Sequence, residues 1–584
     1  MIRFLFLPVY LMFRKIIPVL TIVFISFGIQ SNSSLPIIEY NSINHPVISK
    51  TGMVVSQRQS ASEVGAEILR KGGNAVDAAV ATGLALAVVL PRAGNLGGGG
   101  FMVVYLKDKD KTITIDYRER APSAAHRDLF LDENGNYDKN KAQFSLLSAG
   151  VPGTVAGLHH ALTKYGTMTW QEVLEPSIRL AEQGFSVPHD LANILASERY
   201  KKRLSSNEAA AKSYYKTDKS NYQAGEILKL PDLAWTLKQL SDYGPDAFYK
   251  GEIAKKIVKE MEKNGGLITA QDLKNYTPVE RSPVEGTYKN FKIVSMPPAS
   301  SGGIHLIQML NMIEEFPIKD MGFGSADSIH LLAEVMKRAY ADRSKHLGDM
   351  DFYDVPYSLM SKEYSSFLNK SISISSLTPS KDILAGDPHP YESPDTTHFS
   401  VMDRYGNAVS NTYTLNFSYG SGIMIPGTGM LMNNEMDDFS SKPGTPNGYG
   451  LLGSEANSIE ANKRPLSSMT PTIIFKDNKP YLVLGSPGGS RIITTVLQVA
   501  LNVMEHDMNV AQAVNSPRIH HQWLPEVLMI EKGFGPDTEK LLREKGYRLY
   551  PSSTMGSVQA ILKDGEYFYG AADPRRPGSG AVAP

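Results

Sequence analysis

The feature that most constrains this chain is an irregular stretch followed at once by a strand. Residues 371–395, SISISSLTPSKDILAGDPHPYESPD, are rich in Ser, Pro and Asp, show no hydrophobic period and read as a mobile loop. Directly behind them, Thr397, Phe399 and Val401 alternate with Thr396, His398 and Ser400. A turn at Asp403–Asn407 leads into a second alternating run, Ala408–Tyr413, so the pattern predicts a β-hairpin whose first strand begins at Thr396. A threonine hydroxyl is a poor nucleophile unless a base takes its proton. A threonine that begins a chain solves this with its own α-amine, whose ordinary pKa is about 7.7–8.0. That requires a linker cut at its end and a threonine opening a strand, as here. A hairpin after an ordinary surface loop has the same pattern, and the local residues alone favour that reading.

Composition narrows the class. The 584 residues suit several domains or fewer large ones, and 42% hydrophobic with 21% charged residues excludes wholesale disorder. Lys+Arg and Asp+Glu are each 60, which argues against a nucleic-acid partner. With no cysteine, disulfides, thiolate metal sites and cysteine nucleophiles are excluded. At the N-terminus, Arg14-Lys15 precede the apolar run Ile16–Ile29, and Ser26-Phe27-Gly28 supply a small-x-small end. These are the parts of a signal peptide over 1–28, with an end as late as about 34, and Met12 is a possible start. An exported, periplasmic or secreted protein is expected; an uncleaved anchor is the alternative. No other stretch is long and apolar enough to span a bilayer.

Ser60–Leu90 reads as a buried helical hairpin broken at Gly72-Gly73, and Arg92–Phe101, with four successive glycines, as irregular. Strands are predicted at Met102–Leu106, Thr112–Tyr117, Thr470–Phe475 and Tyr481–Gly485. Residues 150–350 read as mostly helical, with clear stripes over Glu252–Asn264, stopped by Gly265, and over Ser325–Arg343. A helix is expected over Arg491–Val503.

Several chemistries are absent: there is no H-E-x-x-H, Walker A loop, G-x-G-x-x-G or G-x-S-x-G. The pairs His159-His160 and His520-His521 chelate poorly alone, because adjacent side chains diverge, and both read as packing or surface. SPGGS at 486–490 lies between a strand and a helix. Its two glycines can turn their N–H groups to one point as an oxyanion hole, or make a plain strand–helix turn.

Longer motifs decide between these readings. TTHFSVMDRYGNAVSNTYTLN at 396–416, NNEMDDF at 433–439, NKRPLSSMTPTI at 462–473 and GSPGGSRIITTVLQ at 485–498 resemble the small subunit of the γ-glutamyltranspeptidases, which are N-terminal nucleophile hydrolases. GGNAVDAAVA at 72–81, AGNLGGGGFM at 93–102, DYRERAP at 116–122 and PPASSGGIH at 297–305 match the large subunit, so the resemblance covers nearly the whole chain.

The resemblance implies an α+β fold, a four-layer αββα sandwich formed jointly by two autoprocessed subunits, 29–395 and 396–584. It implies self-cleavage of the Asp395–Thr396 bond and Thr396 as nucleophile, supported by the hydroxyl of Thr414. Gly488 and Gly489 match the oxyanion-hole pair. Arg118, Ser467 and Ser468 match the residues that hold the substrate α-carboxylate; Asn416, Glu435 and Asp438 match those that hold its α-ammonium. Position 435 is Gln in some members, so its carboxylate tunes binding. PGTPNGYGLLGS at 443–454 resembles a lid carried by only some members, with Tyr449 as its aromatic. The implied activity is γ-glutamyl transfer from glutathione and related amides to amino acids, peptides or water, with no metal or organic cofactor. Arg118 can grip a carboxylate bidentately, while Glu435 and Asp438 can neutralise an ammonium; fixing both charges positions the γ-carbonyl. Two rivals are a glutaryl or cephalosporin acylase-like amidase on the same fold, for which the ammonium-binding residues would be idle, and a catalytically dead exported binding protein.

Overall fold

The computed structural model describes residues 42–383 and 396–584, so the expected signal peptide and Asp395 lie outside the described residues. Two seven-stranded antiparallel sheets form the centre. The first runs in the order Gly580–Val582, Gly52–Ser56, Thr396–Asp403, Ala408–Thr414, Gly99–Leu106, Lys111–Tyr117 and Val279–Arg281. The second runs Val47–Ser49, Tyr567–Ala572, Gln559–Asp564, Lys479–Gly485, Thr472–Lys476, Phe291–Ser295 and Val284–Tyr288. Both sheets mix strands from before residue 395 with strands from after it.

Strand periodicity explains the layers. In Thr396–Asp403 every residue is buried, and successive side chains point to opposite faces. Phe399 and Val401 join a core with the helices Gln59–Arg70 and Ala75–Val89. Met402 instead joins a core between the sheets with Met53, Val103, Val294, Ile473, Val483 and Ile561. Beyond the second sheet, Leu482 and Leu484 pack with the helices Gly302–Glu314 and Ile492–Met504. Helices, sheet, sheet and helices thus stack in the expected four-layer α+β sandwich. Thr396 shares the parity of His398, Ser400 and Met402 and so faces the gap between the sheets. His398 fills that gap against Gly485, where an added Cβ would lie 2.4 Å from its ring.

The helical hairpin forms as expected. An Asn74–Asp77 capping box starts its second helix, in which every residue is buried. Glu252–Asn264 ends at Gly265 in the left-handed conformation, φ +72°. Two expectations need correction. The region 150–350 also holds the strands Val279–Arg281, Val284–Tyr288 and Phe291–Ser295. The strand expected from Met102 begins at Gly99, because glycine lets neighbouring strands approach: a Cβ at Gly100 would lie 2.4 Å from that of Tyr413. The first part of the expected mobile loop, 371–383, is irregular but tied down. Arg338 donates to Ser371 O at 2.7 Å, and Ser380 N to Glu526 Oε1 at 2.8 Å. No described helix is long and apolar enough to cross a membrane.

Candidate active site

The hairpin register places Thr396 directly opposite Thr414 at the open end of the two strands. Directly opposed residues project to the same face, and the Thr396 hydroxyl donates to Thr414 Oγ1 at 3.3 Å. Asn416 N–H also donates to Thr414 Oγ1, at 2.9 Å. Thr396 is 5% exposed. A cavity of about 20 Å³, room for little more than one water, opens beside it, and every residue expected at the site except Gly488 lines it.

Gly488 and Gly489 follow the strand Lys479–Gly485 and have φ of +143° and +54°. Both values favour glycine. Gly489 lines the cavity, and a short turn of helix carries the chain from it into Ile492–Met504.

The charged end is paired differently from the sequence expectation. Arg118, fully buried, donates to Glu435 Oε1, to Asp438 Oδ2 at 2.6 Å and to Pro465 O at 3.2 Å. The expected carboxylate clamp and two of the expected ammonium holders therefore bind one another here. Glu119 adds a third carboxylate, 3.8 Å from Arg118. Burial alone would lower the Arg118 pKa; the carboxylates of Glu435, Asp438 and Glu119 outweigh it and raise it. Burial pushes Glu119 up to about 7 and Glu435 well above the usual carboxylate range; Arg118 opposes both shifts. Asp438 is raised for the same reason.

Asn416 sits at φ +74° with its Nδ2 donating to Asn434 O at 2.9 Å. Tyr449, buried, donates its hydroxyl to Asn416 and packs edge-on against Phe417 with ring centroids 5.3 Å apart. Asn447 reaches Asp438 Oδ1 at 3.2 Å, and Gly448 N–H donates to Asp437 Oδ2 at 3.0 Å. The segment carrying Tyr449 thus covers the cavity. Ser467 Oγ accepts from Met469 N–H at 3.1 Å, and Ser468 Oγ accepts from Arg343 Nη2 at 3.0 Å.

The γ-glutamyltranspeptidase family model matches residues 61–583. The chain belongs to the γ-glutamyltranspeptidase family. It is 51% identical to the glutathione hydrolase proenzyme of Escherichia coli over 94% of this chain and 93% of that protein. Among solved structures it resembles a cephalosporin acylase from Bacillus halodurans, with a TM-score of 0.82 at 25% identity, covering 94% and 98% of the two chains. It also resembles the γ-glutamyltranspeptidase of Helicobacter pylori, with a TM-score of 0.56 at 43% identity, covering 58% of this chain and 96% of that one. The layered sandwich is that of the N-terminal nucleophile hydrolases.

In this transpeptidase-family chain, three residues escaped the motif reading. Arg343, near the end of the helix Ala326–His346, lines the cavity as a second buried guanidinium and also donates to Ser301 Oγ at 3.0 Å. Its burial, with Arg118 nearby, lowers its pKa. Glu119 follows Arg118 inside DYRERAP, where only the arginine was singled out. Asp437 precedes Asp438, and burial pushes it up to about 7 although Tyr137 donates to it at 2.5 Å. His398 is bonded to Thr412 and Ser400, and burial lowers it to about 3.

Proposed function

We propose that the protein is an exported, self-processing γ-glutamyltransferase and glutathione hydrolase. The observation that carries this reading is one cavity with a threonine hydroxyl at one end and a buried guanidinium with partner carboxylates at the other. A γ-glutamyl group is a zwitterion with a scissile amide one side-chain length away, and the cavity offers charged groups for the one and a hydroxyl for the other.

On this reading Thr396 cleaves the Asp395–Thr396 bond and becomes the first residue of the piece 396–584. Its α-amine then takes the hydroxyl proton, assisted by the Thr414 hydroxyl. Attack on the γ-carbonyl gives a tetrahedral oxyanion held by the N–H groups of Gly488 and Gly489. Collapse releases the amine and leaves a γ-glutamyl-threonine ester, which water, an amino acid or a peptide amine resolves. The substrate carboxylate takes the place of Glu435 and Asp438 on Arg118, with Ser467 and Ser468 donating to it. The two freed carboxylates and Asn416 then take the ammonium. Exchanging one set of buried ion pairs for another avoids leaving a charge unpaired.

The name proenzyme carried by the Escherichia coli relative supports processing, as does the Helicobacter pylori chain, matched over 96% of its length yet spanning only 58% of ours. Export rests on the pattern over 1–28 and placement in the periplasm or outside the cell follows from it. Incubation with glutathione, with and without a dipeptide acceptor, tests the activity through release of glutamate and formation of a γ-glutamyl dipeptide. N-terminal sequencing of the large piece tests export: it should begin near residues 29–35, whereas an intact Met1 or Met12 on membrane-bound material would overturn it.

A further inference from the structure

His520-His521 had no role in the sequence reading, yet His520 lies close behind the cavity. We infer that Gln522, held by His520, is a positioning residue that ties the lid segment to the glycine turn 488–489. This rests on reading 443–454 as the lid and that turn as the oxyanion site.

Gln522 is 9% exposed, and both ends of its amide are engaged. Its Nε2 donates to the backbone carbonyls of Gly450 and Tyr449, at 3.2 and 3.4 Å. Its Oε1 accepts from the Ser490 hydroxyl at 2.9 Å and from His520 Nε2 at 3.1 Å. Carbonyls only accept, so the NH₂ end must face the lid, and a flip would set oxygen against two oxygens. Two N–H groups and two lone pairs are thereby all used.

The other end of the strut grips the turn. Ser490 directly follows Gly489, and its carbonyl accepts from the Tyr340 hydroxyl. Gln522 Oε1 can only accept, so His520 carries its proton on Nε2 and donates it there. Its Nδ1, 2.8 Å from Thr494 Oγ1 in the helix that continues from the turn, is then the acceptor. Burial, which lowers His520 to about 3, keeps the ring neutral and this polarity fixed. The Tyr340 ring stands edge-on to His520 at 5.6 Å. Lifting the lid therefore removes two acceptors from Gln522, whose other end holds the Ser490 hydroxyl beside Gly489. Lid position and turn geometry are coupled through one side chain, so disturbing the strut should reach kcat and not only donor binding.

Gln522→Glu separates the two ends: it still accepts from Ser490 and His520 but presents oxygen to both lid carbonyls. Gln522→Met, close in shape, removes both sets of bonds and guards against a failure peculiar to the added charge. In the matured protein, limited proteolysis within 443–454 should run about tenfold faster in either variant. Glutathione turnover should show a kcat about tenfold lower, with a smaller change in KM and a larger share of hydrolysis over transfer to a dipeptide. In a Tyr449→Phe background, where the lid is already loosened, the further loss should shrink to a few fold. Unchanged lid protection in both variants overturns the inference, as does lost protection with unchanged kcat. Proteolysis needs no substrate: a chain inactive on glutathione would sink the functional reading and leave lid protection to decide the strut.

Discussion

The two ends of the cavity are built in opposite ways. The nucleophile end uses hydroxyls and backbone: Thr396 and Thr414 paired across a hairpin, and two glycines in left-handed conformations. The recognition end uses charge: Arg118 buried among Glu435, Asp438 and Glu119. On the proposed reading, the first is fixed by steric fit and keeps its geometry when a substrate arrives, and the second exchanges its internal pairs for those of the substrate. Substitutions at the nucleophile end should therefore have the larger effects on maturation and kcat, whereas those at the recognition end should be smaller, ligand-dependent and sensitive to pH.

The largest expected effect tests the first half of that contrast. Thr396→Ala should leave a single uncut chain on a denaturing gel and lower turnover by at least about 10³-fold, because the same hydroxyl serves cleavage and transfer. Thr396→Ser keeps a hydroxyl and should still be cut, more slowly. An alanine variant that matured normally would remove Thr396 from processing.

Two glycines at the same end should then behave differently from each other. A Cβ at Gly98 would lie 2.0 Å from Thr414 O, so this glycine permits close approach, and Gly98→Ala should displace Thr414 and prevent maturation. At Gly488 the nearest atoms to an added Cβ are 3.6 Å away, but φ is +143°. Gly488→Ala should therefore fold, at a cost of about 1–3 kcal/mol. It should mature and lose about 10²–10³-fold in kcat with KM little changed, through a misdirected N–H. A Gly488→Ala protein with normal kcat would take that residue out of the oxyanion site.

The same division explains what could be read from the sequence. Thr396 and the glycine turn stand out locally, as a strand start behind a loop and a strand–helix turn, but only the longer family motifs chose their roles and added Thr414. Alternating runs and helical stripes mark single elements, whereas the four layers came from the resemblance, because no local pattern says which sheet faces which. The strands Val284–Tyr288 and Phe291–Ser295 were missed although their side chains alternate about a turn at Lys289, φ +50°. They were absorbed into a mostly helical neighbourhood. Arg343 was unreadable because a basic residue in the last turn of a helix is common, and its bond to Ser468 spans 125 residues. Arg118 and Glu435 are 317 residues apart, and no local pattern says whether opposite charges meet a ligand or each other.

At the recognition end the expected losses are smaller. If Asp438 meets the ammonium, Asp438→Asn and a glutaryl donor, which lacks the amine, should each cost about 10- to 100-fold in kcat/KM, since a charge-assisted hydrogen bond contributes roughly 1.5–3 kcal/mol. Combined, they should cost much less than the product, because both remove one interaction. Matched γ-glutamyl and glutaryl anilides on both proteins measure this. An unmodified protein that prefers glutaryl would favour the acylase reading, and full additivity would transfer the ammonium to Glu435.

The smallest effect concerns Asp437, which lies under the lid rather than in the cavity. It accepts from Tyr137 at 2.5 Å, Gly448 N–H at 3.0 Å and Gln143 Nε2 at 3.3 Å, with Asp438 as its charged neighbour. Burial, reinforced by Asp438, raises it to about 7 against those bonds. An unfolded aspartate titrates near about 3.9. The folded state therefore prefers the protonated carboxyl, and the stability this adds is complete below about pH 4 and is lost as pH rises to about 7. In the unmodified protein the melting temperature should fall over that interval, and Asp437→Asn, which cannot ionise, should show a flatter profile. The difference should be a few degrees at most, since the large unfolding entropy of so long a chain turns a kcal/mol into a small shift. Parallel profiles from pH 5 to 8 would mean that Asp437 stays ionised in the fold.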